Sequence, residues 1–106
     1  MEITNLDSRD TICGIYKILC TANNEFYIGS SKDIFYRLRV HASLLRKNKY
    51  INTKRKHGCK PYMQNAYNKY GVESFKYFVI EQCIEDMLLN REQYYLTSLQ
   101  PKFNSS

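Results

Sequence analysis

The chain has 106 residues, enough for one domain, and its composition (43% hydrophobic, 25% charged, 4 Gly, 2 Pro) excludes fibrous and wholly disordered proteins. No apolar run approaches the roughly 20 residues of a membrane span, and no signal peptide is evident, so we expect a soluble, intracellular protein. The formal net charge is +6, and ten tyrosines occur without a tryptophan.

The positive charge is concentrated in residues 37–60, which we call the basic segment. It contains nine Lys or Arg residues and no Asp or Glu, whereas the sequence on either side is slightly acidic. A block of this density is typical of a surface that binds a polyanion, most often a nucleic acid. The alternative is a solvated helix face and loop that have no partner.

The first half of the chain predicts a polar lead-in, a hairpin and a helix. Residues 1–10 are polar, and residues 11–20 are rich in β-branched and aromatic side chains that favour a strand. Asn23-Asn24 predicts a turn before a second strand at 26–29. The hydroxyls of Ser30-Ser31 and the acid of Asp33 predict the start of a helix over about 33–47. Its apolar stripe comprises Ile34, Leu38, His41 and Leu45.

The second half predicts a loop, two helices and a strand. Residues 48–60 lack apolar periodicity and predict a basic loop. Pro61 and Gly71 delimit a helix, residues 74–82 favour a third strand, and residues 84–99 favour a third helix that Pro101 stops. This order predicts one small α/β domain in which helices cover a sheet with at least one antiparallel pair.

Four cysteines, at positions 13, 20, 59 and 83, form no CxxC pair. The sequence therefore gives no indication of a structural zinc site. We expect reduced, partly buried thiols.

The hairpin carries two tyrosines and two glycines in a notable arrangement. Tyr16 ends the tripeptide that begins at Gly14, and Tyr27 begins the tripeptide that ends at Gly29. Two tyrosines in a hairpin are usually cross-strand aromatic packing, and whether these two face each other depends on the turn length. Glycine weakens a strand, so Gly14 and Gly29 suggest a bulge or a close approach to the backbone.

Three further residues have side chains suited to phosphate chemistry. Arg37 and His41 are four apart and share one face of the first helix, where the guanidinium fork suits a phosphate. A lone histidine in an apolar stripe is more often a hydrogen-bonded core residue than a catalyst. Glu92 lies on the face of the third helix that should pack on the core, so its carboxylate needs a cation, either Arg37 or a divalent metal.

These motifs occur together in one order and spacing. They are GIY at 14–16, YIG at 27–29, Arg37, His41, NKYG at 68–71, REQYY at 91–95 and Asn104. Over about residues 13–104 the chain resembles the GIY-YIG nuclease domain, most closely that of phage- and intron-encoded homing endonucleases. The resemblance implies an α/β (α+β) fold with a three-stranded antiparallel sheet flanked by three helices. Residues 1–106 would form a single catalytic domain, with its core at about 11–104.

The resemblance also implies an activity, the hydrolysis of phosphodiester bonds in double-stranded DNA with one Mg²⁺ or Mn²⁺ per site. Glu92 would bind the metal, and Arg37 would stabilise the charge of the transition state. Tyr16 or Tyr27 would activate or orient water, with a pKa lowered by the positive charge nearby. His41 would relay or orient the proton, and Asn104 would hold the water, the phosphate or a ligand.

Other residues would hold the substrate. Gly29 would let the backbone approach the site, and the basic residues would contact the duplex. Tyr50, Asn52 and Thr53 could add hydrogen bonds to phosphates. Excision-repair relatives place a lysine directly after YIG where this chain has Ser30, so help with the proton would come from His41 or Lys32. The predicted substrate-binding residues are Gly29, Ser30, Lys32, Arg39, Arg46, Lys47, Lys49, Lys54, Arg55 and Lys56.

The expected partner is DNA, with no membrane and no organic cofactor. Nothing resembles a recognition helix or zinc finger, so we expect weak sequence preference and no DNA-recognition domain within these residues. A catalytic fragment and a stand-alone nuclease are both compatible with the sequence. We expect a monomer that could dimerise transiently on DNA. The alternatives are a non-catalytic nucleic-acid-binding module and a structure-selective or RNA-directed nuclease.

Overall fold

A computed structural model describes residues 1–50 and 60–104. The four strands are β1 (Glu2–Ile3), β2 (Gly14–Cys20), β3 (Phe26–Ser31) and β4 (Phe75–Gln82). The three α-helices are α1 (Ile34–Arg46), α2 (Pro61–Tyr70) and α3 (Leu88–Leu99). Short 3₁₀ turns span Val72–Ser74, Glu85–Met87 and Lys102–Asn104.

The strands form one antiparallel sheet in the order β1-β4-β2-β3. Three of them are the predicted strands, and the fourth comes from the region that we predicted to be only a polar lead-in. Ile3 pairs with Tyr77 and is buried, so the lead-in contributes both an edge strand and a core residue. A strand of two residues is too short to show a period of two, which is why the sequence did not reveal it.

The main core lies between the sheet and the helices α1 and α2. The predicted stripe of α1 is buried along its whole length, from Ile34 through Leu38 and His41 to Leu45. These residues meet strand side chains such as Tyr16 and Ile18. Burying the apolar members of the stripe stabilises α1 by about 1.5–3 kcal/mol per side chain.

Helix α3 packs against β2 and β3, and its expected face is less deeply buried than predicted. Leu88, Tyr95 and Leu96 are half-buried, and Leu99 is exposed. The helix is held to the sheet by polar contacts instead. Arg91 donates to both carboxylate oxygens of Glu81 on β4, at 2.7 and 2.8 Å, and Tyr95 donates to the same carboxylate at 2.8 Å.

The helix ends differ from the predictions in detail. Asp33 is the N-cap of α1 and not a first-turn residue, because its carboxylate accepts the N–H of Tyr36 at 3.3 Å. Ser31 accepts the N–H of Asp33, so its hydroxyl orients the cap residue and does not cap the helix. Pro61 and Gly71 delimit α2 as predicted, and Gly71 has a φ of +87°.

The hairpin confirms two local predictions. Asn24 adopts a φ of +62° in the turn. The register between β2 and β4 shifts at Ile15/Tyr16, next to Gly14, where a Cβ would overlap the carbonyl of Glu81. Gly14 therefore permits the close approach of the backbone of β4, and the bulge lies one residue further along β2.

Two other predictions concern the cysteines and membrane spans. Cys20 is a buried free thiol, and Cys13 and Cys83 are half-buried free thiols, as expected; Cys59 lies outside the described residues. Within residues 1–50 and 60–104, no helix has the length and apolar character needed to cross a bilayer.

Candidate active site

A buried chain of three side chains lies at the centre of the candidate site. Both ring nitrogens of His41 are bonded to tyrosine hydroxyls: Nε2 is 2.7 Å from the hydroxyl of Tyr16, and Nδ1 is 2.7 Å from that of Tyr50. We call Tyr16, His41 and Tyr50 the inner group, since all are at most 3% exposed. A neutral imidazole has one donor and one acceptor, so one tyrosine donates to His41 while the other accepts from it.

The environment keeps this imidazole neutral. Burial lowers the pKa of His41 to about 3, and the positive charges of Lys60 and Arg37 act in the same direction. The ordinary pKa of histidine is about 6.5, so His41 carries no charge at neutral pH. In the free protein His41 therefore orients the two hydroxyls and does not store a proton.

The register of the hairpin settles how the two tyrosines face each other. Tyr16 pairs with Gly29, and Ile18 pairs with Tyr27, so the two tyrosines are diagonal neighbours on one face of the sheet. Their ring centroids are 6.3 Å apart. The ring of Tyr16 lies directly over Gly29, where a Cβ would overlap its Cζ and hydroxyl oxygen. Gly29 therefore makes room for Tyr16, whereas we had expected it to admit the substrate.

We predict that Gly29→Ala displaces the ring of Tyr16 and lowers the free energy of unfolding by about 1–3 kcal/mol, the usual cost of overpacking. Urea denaturation measures this loss. The control is the double variant Gly29→Ala/Tyr16→Ala, in which the overlap is absent, so the two effects should be non-additive by at least about 0.5 kcal/mol. Additive effects would contradict the proposed overlap.

Three more accessible side chains, Tyr27, Arg37 and Glu92, surround the inner group, and we call them the outer group. Tyr27 and Glu92 are half-buried, and Arg37 is exposed on α1. The charges of Arg37 and Glu92 both act on the pKa of Tyr16 and on that of Tyr27. The ring of Tyr27 lies 5.3 Å from the ring of His41. One strand and two helices thus bring the outer group together beside the inner group.

The pKa values of the tyrosines differ from our expectation. Burial raises the pKa of Tyr16 well above its usual value, and burial together with Glu92 raises that of Tyr27 to about 12. Arg37 lowers both, but its effect is smaller than that of burial. Both side chains are consequently neutral phenols at neutral pH. The expected lowering of the tyrosine pKa values was wrong for the free protein. Burial destabilises the charged phenolate by more than the exposed guanidinium of Arg37 stabilises it.

Glu92 is anchored by a hydroxyl and not by Arg37. Ser30, on β3, donates to Oε1 of Glu92 at 2.8 Å. In the described part of the chain no ion pair joins Glu92 to Arg37, and Oε2 of Glu92 has no hydrogen-bond partner. Arg37 is therefore not the partner of this carboxylate in the described part of the chain, and the half-buried Glu92 keeps one oxygen open.

The donor set around Glu92 fits a hard divalent cation. Across residues 1–50 and 60–104, no group of three His, Cys, Asp or Glu side chains could cage a metal. Mg²⁺ commonly takes one or two protein carboxylates and completes its shell with water and substrate phosphate. Glu92, a single carboxylate with an open oxygen, is compatible with that kind of ligand set.

Asn104 has a different contact from the one expected. Its Oδ1 accepts the N–H of Ile28 at 2.8 Å, and its Nδ2 donates to the carbonyl of Ile28 at 2.8 Å. The amide thereby replaces a neighbouring strand at the edge of β3, directly between Tyr27 and Gly29. Asn104 therefore positions the edge of the site, and one N–H of its amide remains beyond the bond to the carbonyl of Ile28.

Most of the remaining predicted substrate contacts lie at the periphery. Arg39 donates to the carbonyls of Leu6 and Ser8, at 2.7 and 3.2 Å, and so anchors the N-terminal segment. Lys32 forms an exposed ion pair with Glu85 at 3.6 Å, so it does not supply a cation to the inner group. Arg46, Lys47 and Lys49 are exposed at the end of α1 and beyond it. Lys54, Arg55 and Lys56, with Asn52 and Thr53, lie outside the described residues.

The sequence did not reveal the roles of three residues. Tyr50 was expected to bond a phosphate, but it is buried against His41. Gln64 on α2 is fully buried and holds Tyr50 in place, accepting its N–H at 3.3 Å while donating to the carbonyl of Leu45 at 2.8 Å. Lys60 lies over the rings of Tyr27 and Tyr50, 5.6 and 4.8 Å from their centroids. No sequence signal marked Gln64, because the burial that requires its amide to be bonded is visible only in the structure.

Comparison with known proteins links this arrangement to one family. The GIY-YIG catalytic domain matches residues 12–104. The chain is 31% identical over 93 residues to an intron-associated endonuclease 1 of Enterobacteria phage T4, with 86% of this chain and 34% of the relative covered. It is 34% identical over 89 residues to a probable intron-encoded endonuclease 1 of Neurospora crassa, with 74% and 25% covered. The chain thus spans about a third or less of the length of these curated relatives.

A solved structure gives the same result at the level of the fold. The catalytic domain of the homing endonuclease I-TevI superimposes with a TM-score of 0.70 at 29% sequence identity. The superposition covers 87% of this chain and 92% of that domain. The similarity therefore extends over the catalytic domain of that protein.

Proposed function

Since the chain belongs to the GIY-YIG family, we propose that it is a metal-dependent endonuclease that hydrolyses phosphodiester bonds in double-stranded DNA. Its similarity to endonucleases encoded by phage and fungal introns supports this proposal. The observation that carries it is that two helices meet at Tyr27: Glu92 of α3 is bonded to Ser30 on the strand of Tyr27, and the ring of His41, which shares α1 with Arg37, lies 5.3 Å from the ring of Tyr27. A cation and an anion beside neutral hydroxyls are what phosphoryl transfer needs for charge stabilisation and for holding a metal.

In the proposed reaction, water adds to the phosphorus of the scissile diester and the bond from phosphorus to the 3′ oxygen breaks. The products are a 3′ hydroxyl and a 5′ phosphate, with the second proton of the water passing to the medium. Arg37 is exposed on α1, and its guanidinium would bind the phosphate and stabilise the extra negative charge of the transition state.

Tyr27 is the tyrosine that we assign to the attacking water. It is half-buried, whereas Tyr16 is only 2% exposed and has its hydroxyl bonded to His41. With a pKa raised to about 12, Tyr27 acts as a neutral hydroxyl that orients the water by hydrogen bonding. Tyr16, His41 and Tyr50 hold the surface on which Tyr27 packs.

Glu92 would hold the divalent metal, Mg²⁺ or Mn²⁺, with Ser30 fixing the orientation of the carboxylate. The bound metal would supply charge neutralisation at the phosphate and at the leaving oxygen. Both ions accept carboxylate oxygen, so the carboxylate by itself does not select between them.

The basic segment would hold the duplex through its phosphates, which gives affinity without sequence information. Weak sequence preference and a monomeric protein that pairs only transiently on DNA belong to the same proposal. An intracellular location agrees with a nucleic-acid substrate.

The test is cleavage of supercoiled plasmid by the purified chain in Mg²⁺ or Mn²⁺, with a chelator as one control. The Glu92→Ala protein, purified in parallel, detects contaminating nucleases. Equal cleavage by both proteins, with DNA binding retained, would leave only the non-catalytic binding module. A matched RNA duplex tests the substrate class, and preferential cleavage of RNA would contradict the assignment to DNA.

We predict that neutralising six residues of the basic segment weakens DNA binding and reduces its salt dependence. The slope of log K against log salt should fall in magnitude by about 0.9 for each side chain that contacts a phosphate. Fluorescence anisotropy of a labelled duplex, measured between about 50 and 200 mM salt, gives the affinity from which this slope is obtained. The residues changed to Gln are Arg46, Lys47, Lys49, Lys54, Arg55 and Lys56.

The control neutralises four lysines outside the basic segment, namely Lys17, Lys69, Lys76 and Lys102, and is compared with the test set per charge removed. If the segment is the binding surface, this control should leave most of the slope unchanged. Equal losses of slope per charge removed would mean that only net charge matters.

A further inference from the structure

We propose that Lys60 is a catalytic residue that contacts the scissile phosphate as the second cation of the site. This inference deepens the proposed endonuclease function and rests on it. The sequence places no lysine directly after the YIG tripeptide, since Ser30 stands there and bonds to Glu92. Lys32 pairs with Glu85 at the surface. Lys60 reaches the site from a different element, the residue immediately before α2.

The position of Lys60 is fixed from several sides. Its N–H donates to the carbonyl of Tyr50 at 3.0 Å, and its carbonyl accepts the N–H of Gln64 at 3.0 Å, which ties it to the segment that carries the inner group and to the first turn of α2. Its Nζ lies 4.8 Å from the ring centroid of Tyr50 and 5.6 Å from that of Tyr27. The ammonium is thus held between one tyrosine of the inner group and one of the outer group.

The charge of Lys60 also affects a residue of the inner group. Lys60 and Arg37 both lower the pKa of His41. The two cations therefore lie on α1 and immediately before α2, around the same histidine and Tyr27. An ammonium is a compact, strongly hydrated charge that binds a phosphate oxygen as a point charge, while a guanidinium binds through two parallel donors. An ammonium and a guanidinium can therefore bind different oxygens of the same phosphate.

Half-burial favours this role over simple packing. Lys60 is half-buried, so its charge acts through a less polar medium than that of the exposed lysines on α1. Stacking on two aromatic faces holds the ammonium in place while leaving it charged. Lys69, at the other end of α2, also places its ammonium over a tyrosine ring but lies outside the candidate site. Its Nζ is 5.3 Å from the ring centroid of Tyr70, and the residue is exposed.

The experiment compares Lys60→Met with Lys69→Met, which removes the same charge and the same kind of ring contact from the same region. Single-turnover cleavage at saturating protein should fall about 10²-fold for Lys60→Met, the usual loss for one transition-state donor, and less than about 3-fold for Lys69→Met. Lys60→Arg keeps a cation and should recover most of the rate. Thermal unfolding of each variant shows whether the fold is retained, and Lys60→Gln, which also removes the charge but keeps a polar side chain, is compared with Lys69→Gln if Lys60→Met unfolds.

A second readout does not depend on cleavage. Both substitutions are also made in the Glu92→Ala protein, and binding to a short duplex is measured. The slope of log K against log salt should fall in magnitude by about 0.9 with Lys60→Met and should not change with Lys69→Met. Rate and slope both unchanged, or a rate loss with an unchanged slope, would overturn the phosphate contact. A slope loss with an unchanged rate would place the contact at another phosphate and would also overturn the proposal. If the unmodified protein cuts no DNA, the endonuclease proposal fails, and the slope alone decides whether Lys60 contacts DNA.

Discussion

Replacing Glu92 with Ala is expected to reduce the rate of plasmid cleavage by about 10³-fold or more, because the metal would lose its protein carboxylate. Electrostatic stabilisation by a bound metal contributes several kcal/mol to a phosphoryl transition state, and each 1.36 kcal/mol corresponds to about tenfold in rate. Glu92→Gln should be nearly as damaging, since its amide oxygen can still accept from Ser30 but carries no charge. The initial rate of plasmid nicking, measured over a range of Mg²⁺ concentrations, tests both variants.

Two further variants separate charge from position. Glu73→Ala removes an exposed carboxylate from the turn before β4 and should leave cleavage unchanged. Ser30→Ala keeps the ligand but removes the hydroxyl that orients it, and loss of such a supporting contact typically weakens metal affinity by about 10–100-fold. The expected order of activity is therefore wild type, then Ser30→Ala, then Glu92→Gln. If Glu92→Gln were as active as wild type, Glu92 would not be the metal ligand.

The second large effect is a loss of stability in mild acid that originates from His41. Its pKa is about 3 in the folded protein, against an ordinary value of about 6.5 in the unfolded chain. Between these values the unfolded chain binds a proton that the folded protein does not. The contribution of His41 to stability is thus complete above pH 6.5 and falls by about 1.4 kcal/mol for each pH unit below it, until the pH reaches about 3.

Urea denaturation between pH 7.5 and about 4.5 measures this slope. The comparison is His41→Gln, whose amide supplies one donor and one acceptor to the same two hydroxyls but does not titrate. Both proteins should carry His57→Gln, so that the other histidine contributes to neither. The variant should lose about 2–3 kcal/mol less than wild type over this range. Parallel curves for the two proteins would show that His41 titrates normally.

The sequence predicted the three longer strands, α1 and α2 because their signals are local. A turn at Asn24, a proline at the start of α2, a glycine at its end and an apolar stripe on α1 each act within a few residues. The two-residue strand β1 and the half-buried face of α3 depend on contacts with distant residues. Ile3 is buried only because Tyr77 pairs with it, and no local pattern encodes that pairing.

For the candidate site, the sequence motif identified residues, but their contacts required the structure. Tyr16, Tyr27, Arg37, His41 and Glu92 do come together. The partners of Asn104, Tyr50 and Ser30 were not foreseen, since each bonds to a residue at least nine positions away through geometry that the motif does not contain. The direction of the tyrosine pKa shifts also required burial, which outweighs the nearby positive charge.

The backbone of Tyr50 couples helix α2 to His41. Its carbonyl accepts the N–H of Lys60 at 3.0 Å, and its N–H donates to the side chain of Gln64 at 3.3 Å. Both contacts come from α2 or the residue immediately before it, whereas the hydroxyl of Tyr50 is bonded to His41 on α1. A shift of α2 relative to α1 would therefore be transmitted to the imidazole through one tyrosine.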